Sequence, residues 1–198
     1  MEAFPYIQNV ALRPGTLRDA QTYPYNVGAL RNLKSIAFKQ PVTFIIGENG
    51  SGKSTLIEAI AVAYGFNPEG GTKNFNFSTK ASHSILSDSI RLSKSYKQAK
   101  DGFFLRAESF YNVATHIEQL DDDPMGGPPI INSYGGNSPH QQSNGESFLS
   151  LVLNRFGGNG VYILDEPEAA LSPTRLLVLL ARIKQLCDQQ SQFIIATH

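Results

Sequence analysis

The stretch "FIIGENGSGKSTLIEAIA" (residues 44–61) decides the fold, because an apolar run passes through a glycine-rich loop into a helical pattern. Residues 47–54 fit G-x-x-x-x-G-K-[ST] without a gap. Glycines permit positive φ and let backbone N–H groups approach phosphate oxygens, and the following helix directs its positive end at the same anion. The stretch therefore predicts a phosphate-binding loop between a buried strand and a helix.

The side chains that follow this loop indicate which groups it would bind. Lys53 is expected to neutralise the β- and γ-phosphates of a nucleotide, and the Ser54 hydroxyl is expected to ligate Mg²⁺. Thr55, at the helix start, is expected to touch the α-phosphate. The backbone that would wrap the phosphates is that of Gly47, Glu48, Asn49, Gly50, Ser51 and Gly52.

A second acidic site follows the apolar strand of "VYILDEPEAALSP" (residues 161–173). An acid at the carboxyl end of a neighbouring parallel strand lies on the side where the phosphate loop opens. Asp165 is expected to hold Mg²⁺, usually through water, and Glu166 to polarise a water that attacks the γ-phosphate. The alternative interpretation is a strand that merely exits into a turn.

The remaining pattern alternates strands with helices, which predicts an α/β fold around a largely parallel sheet flanked by helices. The strand at 41–47 is expected to be central and buried. A loop rich in Pro, Gly, Asn and Ser is predicted at 121–145. The other predicted strands cover 6–12, 36–38, 102–107, 161–164 and 192–196, and the predicted helices cover 53–65, 82–97, 109–120, 146–158 and 173–190.

Length and composition restrict the class of protein. The 198 residues favour one domain, 1–198, with a helical and loop insertion at about 66–145. The formal net charge is zero, so no global field favours nucleic acid or membrane. The N-terminus lacks a signal-peptide layout, and no apolar run reaches the ~18–20 residues of a membrane span. The single cysteine, Cys187, fits a buried core position in a cytoplasmic protein.

Several motifs together resemble the ABC-type ATPases, in their SMC/RecF/OLD-like branch. "LDEPEAALSP" resembles the acidic motif that runs into the D-loop, "SNGES" (143–147) resembles the signature, and "IIATH" (194–198) resembles the switch-histidine strand. The segments "NPEGG" (67–71), "FLRAESF" (104–110) and "GESFL" (145–149) resemble a group of small bacterial ATPases. The resemblance covers residues 41–198 and implies ATP and Mg²⁺ as cofactors.

The resemblance also implies how such a protein works. Two protomers would pair head-to-tail around two ATP molecules, so that Ser143 and Gly145 of one protomer close on the γ-phosphate held by the other. His198 would sense that γ-phosphate as a catalytic residue. Ser-Asn-Gly at a helix N-terminus supplies a hydroxyl and backbone N–H groups, although the same residues form an ordinary helix cap.

The sequence departs from the family pattern in two places. Glu108 stands where a Q-loop glutamine is usual; its carboxylate would serve as a metal or water ligand, or would cap the following helix. The chain ends at His198, where the family continues with at least another strand and a helix, so truncation is expected. Tyr23 and Tyr25 are candidates to stack on adenine. His83 and His116 have no metal-ligand partners at useful spacing, and His140, close to the signature, is expected to be a solvated loop residue.

The predicted function is an ATP-hydrolysing switch that closes as a homodimer and is coupled to a DNA-related or defence process. The residues between Ser54 and Ser143 lack heptads, which excludes a long coiled-coil arm. Two alternatives stay open: a nucleotide-binding subunit of an ABC transporter, and an ATP-binding module with little turnover.

Overall fold

The computed structural model describes residues 4–16, 19–73, 85–108, 110 and 143–198. The described residues form seven strands, five helices and a 3-10 turn. In chain order these are β1 (Ile7–Leu12), α1 (Gly28–Arg31), β2 (Ser35–Ala37), β3 (Val42–Ile46), α2 (Lys53–Tyr64), α3 (Leu86–Ser89), β4 (Ile90–Lys94), β5 (Asp101–Arg106), α4 (Asn144–Arg155), β6 (Gly160–Asp165), the 3-10 turn (Pro167–Ala169), α5 (Pro173–Asp188) and β7 (Gln192–Thr197).

Four of the strands form a parallel sheet in the order β3-β7-β6-β5. The unbroken apolar runs of β5, β6 and β7 are buried on both faces of this sheet, as parallel strands require. The predicted α/β class with a parallel sheet flanked by helices is therefore confirmed. The strand order also places the ends of β3, β6 and β7 at one edge, where the candidate site is built.

The prediction that the strand before the phosphate loop is central and buried is wrong. Among the described strands β3 pairs only with β7, and Phe44 and Ile46 are 49% and 70% exposed. The apolar run alone does not reveal strand order, which depends on β7 lying between β3 and β6. An apolar strand at an edge has the same composition as a central one.

The predicted helix at 82–97 is also wrong over its described part. A four-residue helix, α3, is followed by β4, which joins β1 and β2 in an antiparallel sheet of order β2-β1-β4. Ile90 and Leu92 lie two residues apart and pair opposite Leu12 and Val10 of β1. Their spacing fits a strand as well as a helix, and the partner strand decides between the two.

The two faces of the parallel sheet bury two apolar cores. Alternating residues of β6 divide between them, because successive side chains of a strand point to opposite faces. Val161 and Ile163 pack with α2 and the antiparallel sheet, whereas Tyr162 and Leu164 pack with α4 and α5. The helix that follows the phosphate loop is therefore held between two sheets, which fixes the direction of its N-terminus.

A buried amide joins the two sheets. The Gln192 side chain, on β7, accepts a hydrogen bond from Ile7 N and donates one to Ile7 O, both at 2.8 Å. Gln192 is fully buried, so this pair satisfies four polar groups that have no access to water. The contact fixes β1 against the parallel sheet.

The other predicted elements can be compared where the structure describes them. The helices predicted at 53–65, 146–158 and 173–190 are confirmed as α2, α4 and α5, and α4 begins inside the segment predicted as loop. None of the described helices is long and apolar enough to cross a membrane. The predicted helix at 109–120 lies outside the described residues except at position 110. Residues 121–142 of the predicted loop and the histidines His83, His116 and His140 also lie outside them.

Candidate functional site

The phosphate loop connects the end of β3 to the start of α2. Gly50 and Gly52 adopt φ values of 76° and 91°, the left-handed region that glycine tolerates best. A Cβ on Gly47 would lie 2.8 Å from Ser51 Oγ, so a larger residue there would have to displace that hydroxyl. The residue pattern read from the sequence thus corresponds to a tight turn whose backbone leads into a helix N-terminus.

Lys53 is buried at the first turn of α2. Its ammonium group donates to Gly47 O at 2.7 Å and to Glu48 O at 3.1 Å, and lies 3.7 Å from Glu166 Oε1. The cation is therefore held at the loop and beside the acidic end of β6. The predicted role of Lys53, to neutralise phosphate oxygens, is compatible with this position.

Ser54 and Asp165 meet across the gap between α2 and β6. The Ser54 hydroxyl donates to the carboxylate of Asp165, and burial raises the pKa of Asp165 to about 6, against the lowering effects of Arg106 and then Ser54. Asp165 Oδ1 is sealed from solvent and has no hydrogen-bond partner among the described residues. A buried carboxylate oxygen left over beside a hydroxyl fits a hard cation such as Mg²⁺.

The protein groups around this position suit a cation bound together with a nucleotide. Within the described part of the chain, no three His, Cys, Asp or Glu side chains cluster closely enough to hold a metal alone. Mg²⁺ at nucleotide sites takes one or two carboxylates and completes its shell with phosphate oxygens and water. Ser54 and Asp165 are the residues that would hold it.

Glu166 occupies the centre of the site. Its backbone is in the left-handed region at φ 49°, and its N–H donates to Ala196 O at 3.0 Å. Glu166 Oε1 lies 3.7 Å from Lys53 Nζ and 3.3 Å from His198 Nε2. Three residues predicted from separate motifs therefore meet at one carboxylate oxygen.

Glu168 is a functional candidate that the sequence reading missed. Its Oε1 accepts from Thr197 Oγ1 at 2.8 Å and from His198 N at 3.0 Å, so the 3-10 turn holds the end of β7. The available signal was the third acid of "DEPE", two residues beyond Glu166. Glu168 positions the backbone that carries the His198 ring.

Arg106 was also missed. It ends β5 directly beside Asp165 on β6, and its guanidinium forms ion pairs with Glu58 at 2.8 Å, Glu108 at 3.0 Å and Asp165 at 3.4 Å. The side chain is 14% exposed, so water screens its charge only weakly. The sequence signal that could have identified Arg106 was its position as a cation at the carboxyl end of a predicted strand.

Glu108 lies at the rim of the same site. It lines a cavity of about 230 Å³ together with Ser54, Asp165 and Glu166. Its side chain is 79% exposed and paired with Arg106. The structure therefore brings all three predicted metal-binding side chains to one cavity, and the role of Glu108 as a ligand stays a prediction.

The two tyrosines proposed to stack on adenine have different environments. Tyr23 is 53% exposed, and its hydroxyl lies 2.6 Å from Thr55 Oγ1, beside the phosphate loop. Tyr25 is 3% exposed and belongs to the apolar core. Only Tyr23 has a ring surface that a bound base could contact.

Ser143 and Gly145 form the N-terminus of α4. Ser143 and Glu146 make a reciprocal capping box, in which Ser143 Oγ accepts from Glu146 N and Ser143 N donates to Glu146 Oε2. A Cβ on Gly145 would lie 2.7 Å from Ala170 O. Among the described residues no hydrogen bond or ion pair joins Ser143 or Gly145 to the phosphate loop of the same chain.

Comparisons with known proteins indicate the family of the chain. A family model described as an AAA domain matches residues 25–123. A protein of Methanosarcina acetivorans named as an ABC transporter ATP-binding protein is 30% identical, over 93% of this chain and 74% of its own length.

Solved structures resemble the fold at low sequence identity. A metal-chelate type ABC transporter in an inward-facing conformation is similar with a TM-score of 0.50 and 14% identity, over 98% of this chain and 74% of that one. The SMC head domain from Thermotoga maritima has a TM-score of 0.47 and 15% identity, over 98% and 89%. With its phosphate loop, its acidic strand end and the 30% identical relative, the chain belongs to the ABC-type ATP-binding family of P-loop proteins.

Proposed function

We propose that the chain binds Mg-ATP and hydrolyses it as a conformational switch. The observation that carries the proposal is the position of Glu166 Oε1 between Lys53 Nζ and His198 Nε2. A carboxylate there is placed to accept a proton from a water that attacks the γ-phosphorus, as the bond to the bridging oxygen breaks. Lys53 would neutralise the charge on the leaving oxygens.

The remaining residues would orient these groups. Ser54 and Asp165 would hold Mg²⁺, which neutralises phosphate charge when bound. Glu168 fixes the His198 backbone, so the imidazole stays beside Glu166. From the rim of the cavity, the Glu108 carboxylate would bind the metal ion directly or would hold a water molecule beside it.

Removing the proposed base is the direct test of hydrolysis. Glu166→Gln keeps the shape of the side chain but cannot accept the proton, so we expect phosphate release to fall by about 10²-fold or more, with ATP affinity retained. Asp88→Asn removes one exposed carboxylate on α3 and serves as the control. Turnover of Glu166→Gln at the parent rate would show that the catalytic assignment is wrong.

Removing the loop cation tests nucleotide binding itself. Lys53→Ala should lose measurable ATP binding by calorimetry, because the ammonium is the one cation held inside the loop in the described structure. Unchanged affinity would contradict the role of Lys53. A parent protein that binds ATP but releases no phosphate would instead be an ATP-binding module with little turnover.

The proposed active form is a head-to-tail homodimer in which Ser143 and Gly145 of one protomer face the nucleotide of the other. Support comes from α4, whose N-terminus makes no described polar contact with its own phosphate loop. Sedimentation of Glu166→Gln with ATP should show a dimer that disappears without nucleotide. A monomer at saturating ATP would contradict the pairing.

The process coupled to hydrolysis has two candidates. A DNA-related or defence role follows from the motif resemblance, and we place it first. A transporter role is favoured by the name of the Methanosarcina acetivorans relative. Stimulation of phosphate release by DNA would support the first, whereas co-purification with a transmembrane protein and no response to DNA would support the second.

A further inference from the structure

A second cavity lies at the far end of α2, away from the phosphate loop. It has a volume of about 260 Å³ and is lined by Tyr6, Tyr64, Lys73 and Lys94, among others. The phosphate loop meets α2 at Lys53 and the cavity meets it at Tyr64, so the helix rise separates the two by about 17 Å. The cavity is therefore distinct from the nucleotide site.

The charges around this cavity are all of one sign. Lys73 Nζ lies 3.7 Å and Lys94 Nζ 4.9 Å from the centroid of the same ring, that of Tyr64. None of the residues that line the cavity is acidic. Within the described residues neither ammonium group forms an ion pair, so two cations share one aromatic ring without an anion.

The electrostatic cost of this arrangement is visible at Lys73. Burial lowers the pKa of Lys73, and the charge of Lys94 lowers it further. The Tyr64 ring offsets part of this cost through its negative face, but a ring carries no net charge. An anion beside the two ammonium groups would relieve both effects.

A buried hydroxyl provides a second, independent indication. Tyr6 is 1% exposed and lines the cavity, and its hydroxyl is sealed from solvent without a hydrogen-bond partner among the described residues. Buried hydroxyls are normally paired, and an unpaired donor beside a cavity indicates a missing acceptor. Tyr6 OH would supply that hydrogen bond when the atoms that cover it move aside for a bound group.

We propose that this cavity binds a phosphate group. Two ammonium groups and a phenol donor match the several acceptor oxygens of a phosphate, and the volume suits a small phosphorylated molecule or one phosphate of a nucleic-acid strand. Tyr96, which also lines the cavity, is 71% exposed and could stack on a base in the second case. The site requires neither ATP hydrolysis nor dimer formation.

The test titrates the full chain carrying Lys53→Ala, so that the phosphate loop does not contribute. Inorganic phosphate and pyrophosphate are added at constant ionic strength and followed by calorimetry. We expect one saturable site, weakened about tenfold by Lys94→Gln and severalfold by Tyr6→Phe. Lys184→Gln is the matched control, because Lys184 is an exposed lysine on α5 paired with Asp188, and it should leave the affinity unchanged.

A single-stranded oligonucleotide distinguishes the two sources of phosphate. If it competes with pyrophosphate and binds more tightly, with the same dependence on Lys94, the phosphate belongs to nucleic acid. If pyrophosphate binds and the oligonucleotide does not compete, the phosphate belongs to a small molecule. No saturable binding of either probe, or equal weakening by Lys94→Gln and Lys184→Gln, would overturn the proposal.

Discussion

Replacing Arg106 should destabilise the protein strongly, because this one guanidinium joins three elements of the site. It forms ion pairs with Glu58 on α2, with Asp165 on β6 and with Glu108 beyond β5. Arg106→Met retains most of the apolar stem and removes the charge. The variant therefore isolates the electrostatic contribution from loss of packing.

The exposure of each partner sets the size of the effect. Glu108 is 79% exposed, so its pair contributes little. The side chains of Glu58 and Asp165 are 14% and 6% exposed, and breaking a buried pair costs about 3–5 kcal/mol because it leaves an uncompensated charge. Asp165 can relieve its charge by binding a proton, so we expect a loss of unfolding free energy near the lower limit, about 3 kcal/mol.

The loss should also depend on pH in a defined direction. Burial raises the pKa of Asp165 to about 6, and Arg106 opposes that rise. Above this pKa the parent gains from the Arg106–Asp165 attraction, whereas below it Asp165 is neutral and the attraction is absent. The difference in stability between parent and variant should therefore be larger at pH 8 than at pH 5.

Urea unfolding of the metal-free protein at both pH values measures this effect. Arg91→Met, at an exposed position of β4, is the control and should change the unfolding free energy by less than about 0.5 kcal/mol. A loss below about 1 kcal/mol for Arg106→Met at pH 8 would refute the assignment of a buried network. An equal loss at pH 5 would show that Asp165 is not the partner that matters.

Three further predictions follow from buried contacts. Gln192→Leu should lower the unfolding free energy by about 2–4 kcal/mol in urea, because it leaves Ile7 N and O unpaired in the core. Gly145→Ala should cost about 1–3 kcal/mol, because its Cβ would press on Ala170 O. The thiol of Cys187 should react with iodoacetamide more slowly than in urea at the same pH, because burial raises its pKa and reduces the thiolate fraction.

Each of these predictions has a matched control. Gln185→Leu changes an exposed glutamine on α5 and should leave stability nearly unchanged. Gly28→Ala adds a Cβ where no atom lies within 4 Å, so a comparable loss there would contradict the contact argument for Gly145. Alkylation of Cys187 as fast in the folded protein as in urea would show that burial does not suppress the thiolate.

The phosphate loop could be predicted from the sequence because its chemistry is local. Positive φ at Gly50 and Gly52, the limited space for a side chain at Gly47 and the cation at Lys53 all arise within eight consecutive positions. Neighbouring positions alone therefore specify the turn. The class of the fold followed for a similar reason, since buried parallel strands read as unbroken apolar runs.

Strand order could not be predicted in the same way. The apolar run of β3 fits a central strand, yet β7 alone pairs with it among the described strands, and Ile46 is 70% exposed. The spacing of Ile90 and Leu92 also fits a helix, and only their pairing with β1 shows that they belong to a strand. In both cases the deciding contact comes from a segment far away in the chain, and hydrophobic periodicity carries no information about such contacts.

The residues missed at the site share this dependence on distant partners. Arg106 acquires its role only because β5 lies beside β6 in register, which brings its guanidinium to Asp165. Glu168 acquires its role only because β7 ends above the 3-10 turn. Sequence motifs identify the groups that would touch the nucleotide, whereas the groups that would orient them are set by the register of the sheet. Stability of Arg106→Met is therefore a test of strand register as much as of charge.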